Sequence, residues 1–150
     1  AAPVDPAGET SALRPLTLYL LDTNALSALI HEPAGTVAQR LGAVGVDQVC
    51  TSVIVAAELR YGAAKRGSLR LSERVGDSLN MIEVRPFERP ADEIYGRLRA
   101  DLEARGLVIS GHDMLIAAHA LSLDLIVVTD NEGEFRRVPA LQVENWLRPA

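Results

Sequence analysis

The sequence predicts an α/β fold in which a mainly parallel sheet carries helices on both faces. Short apolar runs, such as residues 18–21 and 125–129, are typical of strands that are buried on both sides. Segments with apolar residues every three or four positions separate these runs, so strands alternate with helices along the chain. With 150 residues, 48% of them hydrophobic, the chain is expected to form one domain with a sizeable core.

Residues 1–16 are expected to form a flexible leader, and residues 17–150 the folded domain. The leader is rich in proline and has neither the basic start nor the apolar centre of a secretory signal. No run of about 18 apolar residues predicts a membrane span. Cys50 is the sole cysteine, which excludes an internal disulfide and a four-cysteine zinc site and suits a reducing cytoplasm. The net charge of −5 means that any binding of nucleic acid must be local.

In the first half of the chain, strand and helix signals alternate from residue 18 onward. Asp and Asn directly after the first strand favour a helix start, Pro33 ends that helix, and Thr51 or Ser52 can cap a later one. The predicted strands are 18–21 and 48–51, and the predicted helices are 25–30, 35–43, 52 to about 65, and 69–79.

The second half continues the alternation. Gly106 is a natural end for a long helix, and Ser110 precedes an alanine-rich one. The predicted strands are 81–84, 125–129 and an edge strand at 141–144 followed by Trp146; the predicted helices are 91–105 and about 111–123, and a short turn contains Phe135.

Four acids occupy equivalent places in this scheme. Asp22 and Asp130 end buried strands, Asp113 opens a helix, and Glu58 lies on a helix just after a strand. The carboxyl ends of strands are where open α/β sheets bind ligands. Converging carboxylates repel one another unless a cation is present, and such oxygen ligands suit Mg²⁺ or Mn²⁺. The constellation therefore predicts a metal site that can hydrolyse a phosphodiester.

Three of these acids also have purely structural interpretations. Asp22 could cap the following helix, as could Asn24. Asp113 follows Ser110 by three residues, which is the spacing of a capping box. Asp130 could form a turn with Asn131.

Glu58 is predicted to lie on the buried face of its helix. Three- and four-residue spacing places it on one stripe with Ile54, Val55 and Tyr61. A buried carboxylate is costly unless it is paired or bound to a metal. The stripe therefore favours a functional role for Glu58.

A run of basic residues follows Glu58. If this segment borders the acidic cleft, its side chains would hold the phosphates that flank the scissile one; such runs are also commonly solvated helix faces. The candidate RNA-binding residues are Arg60, Lys65, Arg66 and Arg70.

Four ordered motifs resemble the PIN-domain family, and within it the VapC-type toxin ribonucleases. The resemblance covers residue 18 to the C-terminus. The motifs are Leu-Asp-Thr-Asn at 21–24, Ala-Glu-Leu-Arg-Tyr-Gly at 57–62, the helix 113–120, and Val-Thr-Asp-Asn at 128–131 with Phe135 and Val-Glu-Asn-Trp at 143–146.

The resemblance implies a three-layer α/β/α sandwich around about five mainly parallel strands. It also implies a Mg²⁺- or Mn²⁺-dependent endoribonuclease that cuts tRNA, rRNA or mRNA. Asp22, Glu58 and Asp113 match the metal-binding acids of the family, and the fourth place falls on Asp130 or Asn131. The implied partners are a second copy of the chain and an antitoxin whose C-terminal segment wraps the toxin and blocks its cleft.

The resulting hypothesis is a toxin nuclease in which Asp22, Glu58, Asp113 and Asp130 hold the metal. Asn24, Thr129 and Asn131 are expected to orient these ligands or a phosphate. One alternative is a phosphorylatable receiver-like domain, which needs a lysine late in the chain, whereas Lys65 precedes Asp113. The other is a PIN-fold module that binds RNA or protein without cutting.

Overall fold

The computed structural model describes residues 17–149 and shows one five-stranded parallel sheet. The predicted leader, residues 1–16, lies outside the described residues, as does Ala150. The spatial order of the strands is β3-β2-β1-β4-β5. The strands are β1 (Tyr19–Leu21), β2 (Val49–Ser52), β3 (Glu83–Arg85), β4 (Ile126–Val128) and β5 (Val143–Glu144).

Seven α-helices and a 3₁₀ turn at Val46–Gln48 connect the strands of this described part. The predicted α/β class is confirmed. Two local predictions were wrong. The third strand starts at Glu83 because the preceding helix continues to Met81, and the segment that contains Phe135 is a short helix and not a turn. The helices are α1 (Thr23–His31), α2 (Thr36–Val44), α3 (Val53–Arg66), α4 (Leu69–Met81), α5 (Ala91–Ala104), α6 (Gly111–Ser122) and α7 (Glu132–Phe135).

The connections place helices on both faces of the sheet. Helices α1 to α4 carry the chain outward from β1 through β2 to β3, and α5 and α6 bring it back past β1 to β4. Because parallel crossovers are right-handed, these opposite directions of travel put the two groups of helices on opposite faces. The central strands are accordingly buried on both sides, with Leu20, Leu21 and Val127 fully inaccessible.

Aromatic side chains close the far edge of the sheet. Trp146 is 1% exposed and packs against Tyr19 of β1, with ring centroids 5.0 Å apart. Phe135 of α7 is fully buried. Both residues fix the segment after β4, which contributes to the candidate site. Within residues 17–149, no helix is both long and apolar enough to cross a membrane.

Candidate metal centre

The candidate site lies at the carboxyl ends of β1 and β4. Parallel pairing sets Leu21 opposite Val128, so Asp22 and Thr129 leave the sheet side by side. The backbone N–H of Asp22 donates to the carbonyl of Val128 at 3.0 Å. The chain runs from β1 toward β2 on one side and from β4 toward β5 on the other, so this is the point where the strand order reverses. Open α/β sheets bind their ligands at such a point.

Asp22 is the most deeply buried acid of the site, at 2% exposure. Its Oδ1 accepts a hydrogen bond from the backbone N–H of Ala25 at 2.9 Å, so the predicted capping of α1 is confirmed. Burial raises the pKa of Asp22 to about 6, and the charge of Asp113 raises it further, whereas hydrogen bonds from Thr129 and Ala25 lower it. A cation near this carboxylate would relieve the cost of keeping it charged.

Asp113 lies in the first turn of α6, which begins at the same edge of the sheet. Its backbone N–H donates to Ser110 Oγ at 3.1 Å, which confirms that Ser110 caps the helix. Its Oδ2 accepts from the side-chain amide of Asn131 at 2.9 Å. Burial raises the pKa of Asp113 to about 6, and a hydrogen bond with Glu134 adds to the increase.

The segment after β4 holds both aspartates. Thr129 is fully buried, hydrogen-bonds to Asp22, and accepts from the backbone N–H of Asn131 at 2.8 Å. The amide nitrogen of Asn131 donates to Asp113 and also to Glu134 Oε2, at 2.8 Å. Thr129 and Asn131 therefore take the places expected of them, beside the acids.

Glu134 is the site residue that the sequence analysis missed. A hydrogen bond with Asp113 lowers the pKa of Glu134, so the two carboxyl groups interact directly. Its only signal in the sequence is its place three residues after Asn131, since residues three apart share one side of a helix turn. That signal becomes readable only once residues 132–135 are known to be helical.

Glu58 is close to the site, but it does not lie on a buried face. The core side of α3 consists of Val55, Ala56 and Ala63, and the side chain of Glu58 is 48% exposed. The prediction of a buried Glu58 was therefore wrong, because an alanine-rich helix leaves its packing face ambiguous. Glu58 Oε1 lies 3.2 Å from His112 Nδ1.

His112 links Glu58 to the start of α1. Its Nε2 lies 3.2 Å from Thr23 Oγ1, and Thr23 directly follows Asp22. If Nδ1 donates to the glutamate, Nε2 accepts from the threonine hydroxyl, and a neutral ring satisfies both contacts. His112 thereby holds Glu58 near both aspartates. Thr23, which His112 contacts, directly follows Asp22, and His112 itself directly precedes Asp113.

Asp130 and Asn24 do not contact these acids through their side chains. Asp130 is exposed, and its Oδ1 accepts from Asn145 at 3.0 Å, on the side of β5. Adjacent residues leave the strand in different directions, so Asn131, and not Asp130, is beside Asp113. Asn24 is exposed and contributes through its backbone, which hydrogen-bonds to Asp22.

His119 joins the two helices that carry Asp113 and Glu58. It is 1% exposed, and its Nδ1 lies 2.8 Å from Oγ of Ser52, the residue that caps α3. The ring of Phe87 meets it edge-on, with ring centroids 5.3 Å apart. Burial lowers the pKa of His119, so the neutral imidazole connects α6 to the N-terminus of α3.

The predicted RNA-binding residues lie on α3 and at the start of α4. All four are exposed, and none takes part in an ion pair within residues 17–149. A groove of about 270 Å³ contains Arg66 together with Thr23 and Glu58. The four predicted RNA-binding residues are Arg60, Lys65, Arg66 and Arg70.

A divalent metal fits the Asp22–Asp113 pair. Within the described chain, no three His, Cys, Asp or Glu side chains converge closely enough for one ion. Mg²⁺ does not need such a cage, because it keeps several waters and is usually held by one or two carboxylates together with substrate phosphates. Asp22 is buried and Asp113 half-buried, and the charge of Asp113 raises the pKa of Asp22, so the two carboxyl groups supply oxygen donors of the required kind.

The raised pKa values predict how the metal-free protein responds to pH. The unfolded chain loses the proton of an aspartate near pH 4, whereas folded Asp22 keeps it to about pH 6. Asp22 binds a proton in the folded state between these values, so its contribution to stability is highest below pH 4 and is lost as the pH rises through 6. We expect Asp22 to contribute a fall of about 3 kcal/mol.

Urea denaturation in EDTA at pH 4.5 and pH 7.5 measures about 2 kcal/mol of this fall, because the aspartate of the unfolded chain is already mostly ionised at pH 4.5. The Asp22→Asn variant should have a flatter profile than the parent, because Asn cannot ionise. A parent profile as flat as that of the variant would contradict the burial cost assigned to Asp22.

Comparisons with known proteins agree with this geometry. The model of the PIN domain family matches residues 19–141. The chain belongs to the PIN-domain family. The ribonuclease VapC2 of Rickettsia felis is 35% identical over 131 residues, which cover 86% of this chain and 98% of that protein. The tRNA(fMet)-specific endonuclease VapC of Salmonella typhimurium is 32% identical over 129 residues, covering 85% and 97%.

A solved structure shows the same architecture for this PIN domain. The DNA-bound VapBC complex of Salmonella typhimurium contains a chain that superposes with a TM-score of 0.81 at 33% identity, covering 87% of this chain and 99% of that one. The resemblance and the fold class drawn from the motifs are therefore confirmed.

Proposed function

We propose that this PIN domain is a Mg²⁺- or Mn²⁺-dependent endoribonuclease, the toxin of a toxin–antitoxin pair. The observation that carries the proposal is the pairing of buried Asp22 with Asp113 at the point where the strand order reverses. VapC relatives over 30% identical along nearly their whole length support the same activity.

The two aspartates would hold the metal, with Glu58 adjacent to them. The ion would supply Lewis-acid stabilisation of charge on the scissile phosphate and lower the pKa of a bound water. Thr129 and Asn131 hold the two aspartates in place by hydrogen bonds, and Asp22 also remains tied to the first turn of α1. Glu58 is exposed enough to meet a water or a phosphate entering from solvent. Asp130 stays a predicted ligand that these contacts do not support.

RNA would enter along α3 and the start of α4. Exposed cations without acidic partners contact phosphates at low desolvation cost, and they hold the RNA in register without reading its sequence. Arg66 shares the groove with Glu58, so it would hold a phosphate next to the one that is cut. The overall charge of −5 makes this local patch and the metal the sources of attraction. We place this activity in the cytoplasm, where RNA substrates are found.

The antitoxin part of the proposal rests on the solved complexes of relatives and on a second groove. VapBC complexes are known for chains about one-third identical to this one. Helices α1, α2 and α4 enclose an apolar groove of about 550 Å³, which the half-exposed side chains of Val46 and Met81 border. An antitoxin segment with apolar anchors would fill this groove and continue toward the acidic cleft.

The same family relationship leads us to propose a homodimer. Helix α3 exposes an apolar row at three- and four-residue spacing. Val53 is 42% and Tyr61 62% exposed, Ala57 lies between them, and Ala64 follows Tyr61. Small residues let two helices approach closely, and the row lies away from the core side of α3. Sedimentation of the purified protein measures the dimer.

Cleavage of RNA by the purified protein tests the function. We expect Mg²⁺ or Mn²⁺ to support endonucleolytic cuts in a structured RNA, and EDTA to abolish them, because the metal supplies the charge stabilisation. Mapping RNA 5′ ends after induced expression would locate the cut. Tight RNA binding without cleavage in either metal would contradict the proposal and favour a non-cutting PIN-fold binding module.

A further inference from the structure

Asn131 has a donor arrangement that fixes one orientation of its side chain. Its Nδ2 donates to Asp113 Oδ2 at 2.9 Å and to Glu134 Oε2 at 2.8 Å. An amide nitrogen has two hydrogens and no acceptor capacity, so each carboxylate receives one hydrogen. The reverse orientation would turn the amide oxygen toward two carboxylates, which is repulsive.

Glu134 favours this orientation of the Asn131 amide over the reverse one, because its carboxylate accepts the second amide hydrogen. Within α7 it points to the site, whereas Glu132, about 200° away around the helix, contacts Arg136 and Asn145. The fully buried ring of Phe135 anchors α7 between them. Phe135 therefore fixes the backbone of α7, and the side chain of Glu134 contacts Asn131 and Asp113.

We propose that Glu134 is a positioning residue: its carboxylate locks the Asn131 amide, and the locked amide holds Oδ2 of Asp113 so that the metal can use the other oxygen. This inference rests on the proposed function, because it assigns Asp113 to the metal. The proposed role of Glu134 is that of a hydrogen-bond acceptor. Its charge also acts on Asp113, and the choice of substitution separates the two effects.

Three variants separate these roles. Glu134→Ala removes the acceptor, and Glu134→Gln keeps an acceptor oxygen while it removes the charge. Glu132→Ala is the matched control, since it removes a glutamate with more polar contacts from the other side of the same helix. Melting temperatures in EDTA show whether each variant is folded.

The measurement is the Mn²⁺ concentration at half of the full thermal shift, followed by RNA cleavage at saturating Mn²⁺. Loss of a group that orients a ligand typically weakens metal binding about 10- to 100-fold. We expect that increase for Glu134→Ala, with cleavage largely restored at saturating metal. The Mn²⁺ midpoints of Glu134→Gln and Glu132→Ala should stay within about threefold of the parental midpoint. Both variants keep an acceptor for the Asn131 amide, and loss of such a partner would weaken metal binding at least about tenfold.

Each other result contradicts the inference in a distinct way. A Glu134→Ala midpoint equal to that of the parent would remove the positioning role. A Glu134→Gln midpoint as weak as that of Glu134→Ala would assign the role to charge. A parent with neither a Mn²⁺ shift nor cleavage would overturn the proposed function together with the inference.

Discussion

Replacing Asp22 by Asn is expected to slow RNA cleavage by about 10²- to 10³-fold while leaving the fold intact. A metal contributes several kcal/mol of charge stabilisation, and each 1.36 kcal/mol corresponds to tenfold in rate. The fold survives because the Asn carbonyl can still accept from the N–H of Ala25, which Asp22 Oδ1 accepts at 2.9 Å. Burial already raises the pKa of Asp22 to about 6, so removing its charge costs no stability at neutral pH.

Single-turnover cleavage in Mg²⁺ gives the rate, and urea denaturation in EDTA gives the stability. Asp47→Asn is the matched control, because Asp47 is an exposed aspartate in the 3₁₀ turn before β2. The control should cleave at the parental rate. An Asp22→Asn variant that also cleaves at that rate would remove Asp22 from the chemistry.

Replacing Phe135 by Ala is expected to cost about 3–5 kcal/mol of unfolding free energy. The ring is fully buried, so its removal leaves a cavity under α7. Because Asn131 and Glu134 both belong to the segment that this ring anchors, cleavage by the folded fraction should fall as well.

The control for Phe135 is Leu69→Ala. Leu69 is 75% exposed at the start of α4, so its truncation should change the unfolding free energy by no more than about 0.5 kcal/mol. Urea denaturation of both variants in EDTA decides the comparison. Equal losses of unfolding free energy in the two variants would contradict the prediction that the buried ring of Phe135 stabilises the fold.

Local patterns were sufficient to predict most of the fold. The apolar run that ends at Asp22 is a strand followed by a cap, and the run at 125–129 contains β4. Both predictions succeeded because a strand buried on two faces carries its signal in consecutive residues. The boundary between α4 and β3 was misplaced because Met81 fits a helix end as well as a strand start.

The site could be predicted only where an acid directly adjoins a regular element. Asp22 and Asp113 are of this kind, since each lies at the junction of a helix with the edge of the sheet. Glu58 was placed near the site correctly, but its exposure was not predicted, because α3 is apolar on more than one side. Asn131 lies beside Asp113 as expected. The places of Asp130 and Glu134 depend on how the chain turns after β4, and that turn is set by the buried Phe135 and by contacts with the segment after β5.

The central claim is that one divalent ion binds between Asp22 and Asp113. Anomalous diffraction from crystals grown with Mn²⁺ tests it most directly, because Mn²⁺ replaces Mg²⁺ at oxygen-ligand sites and scatters anomalously. We predict one strong peak within about 2.0–2.3 Å of a carboxylate oxygen from each aspartate. A peak at Asp130 and Asn145, or no peak beside Asp22 and Asp113 at saturating Mn²⁺, would contradict the account.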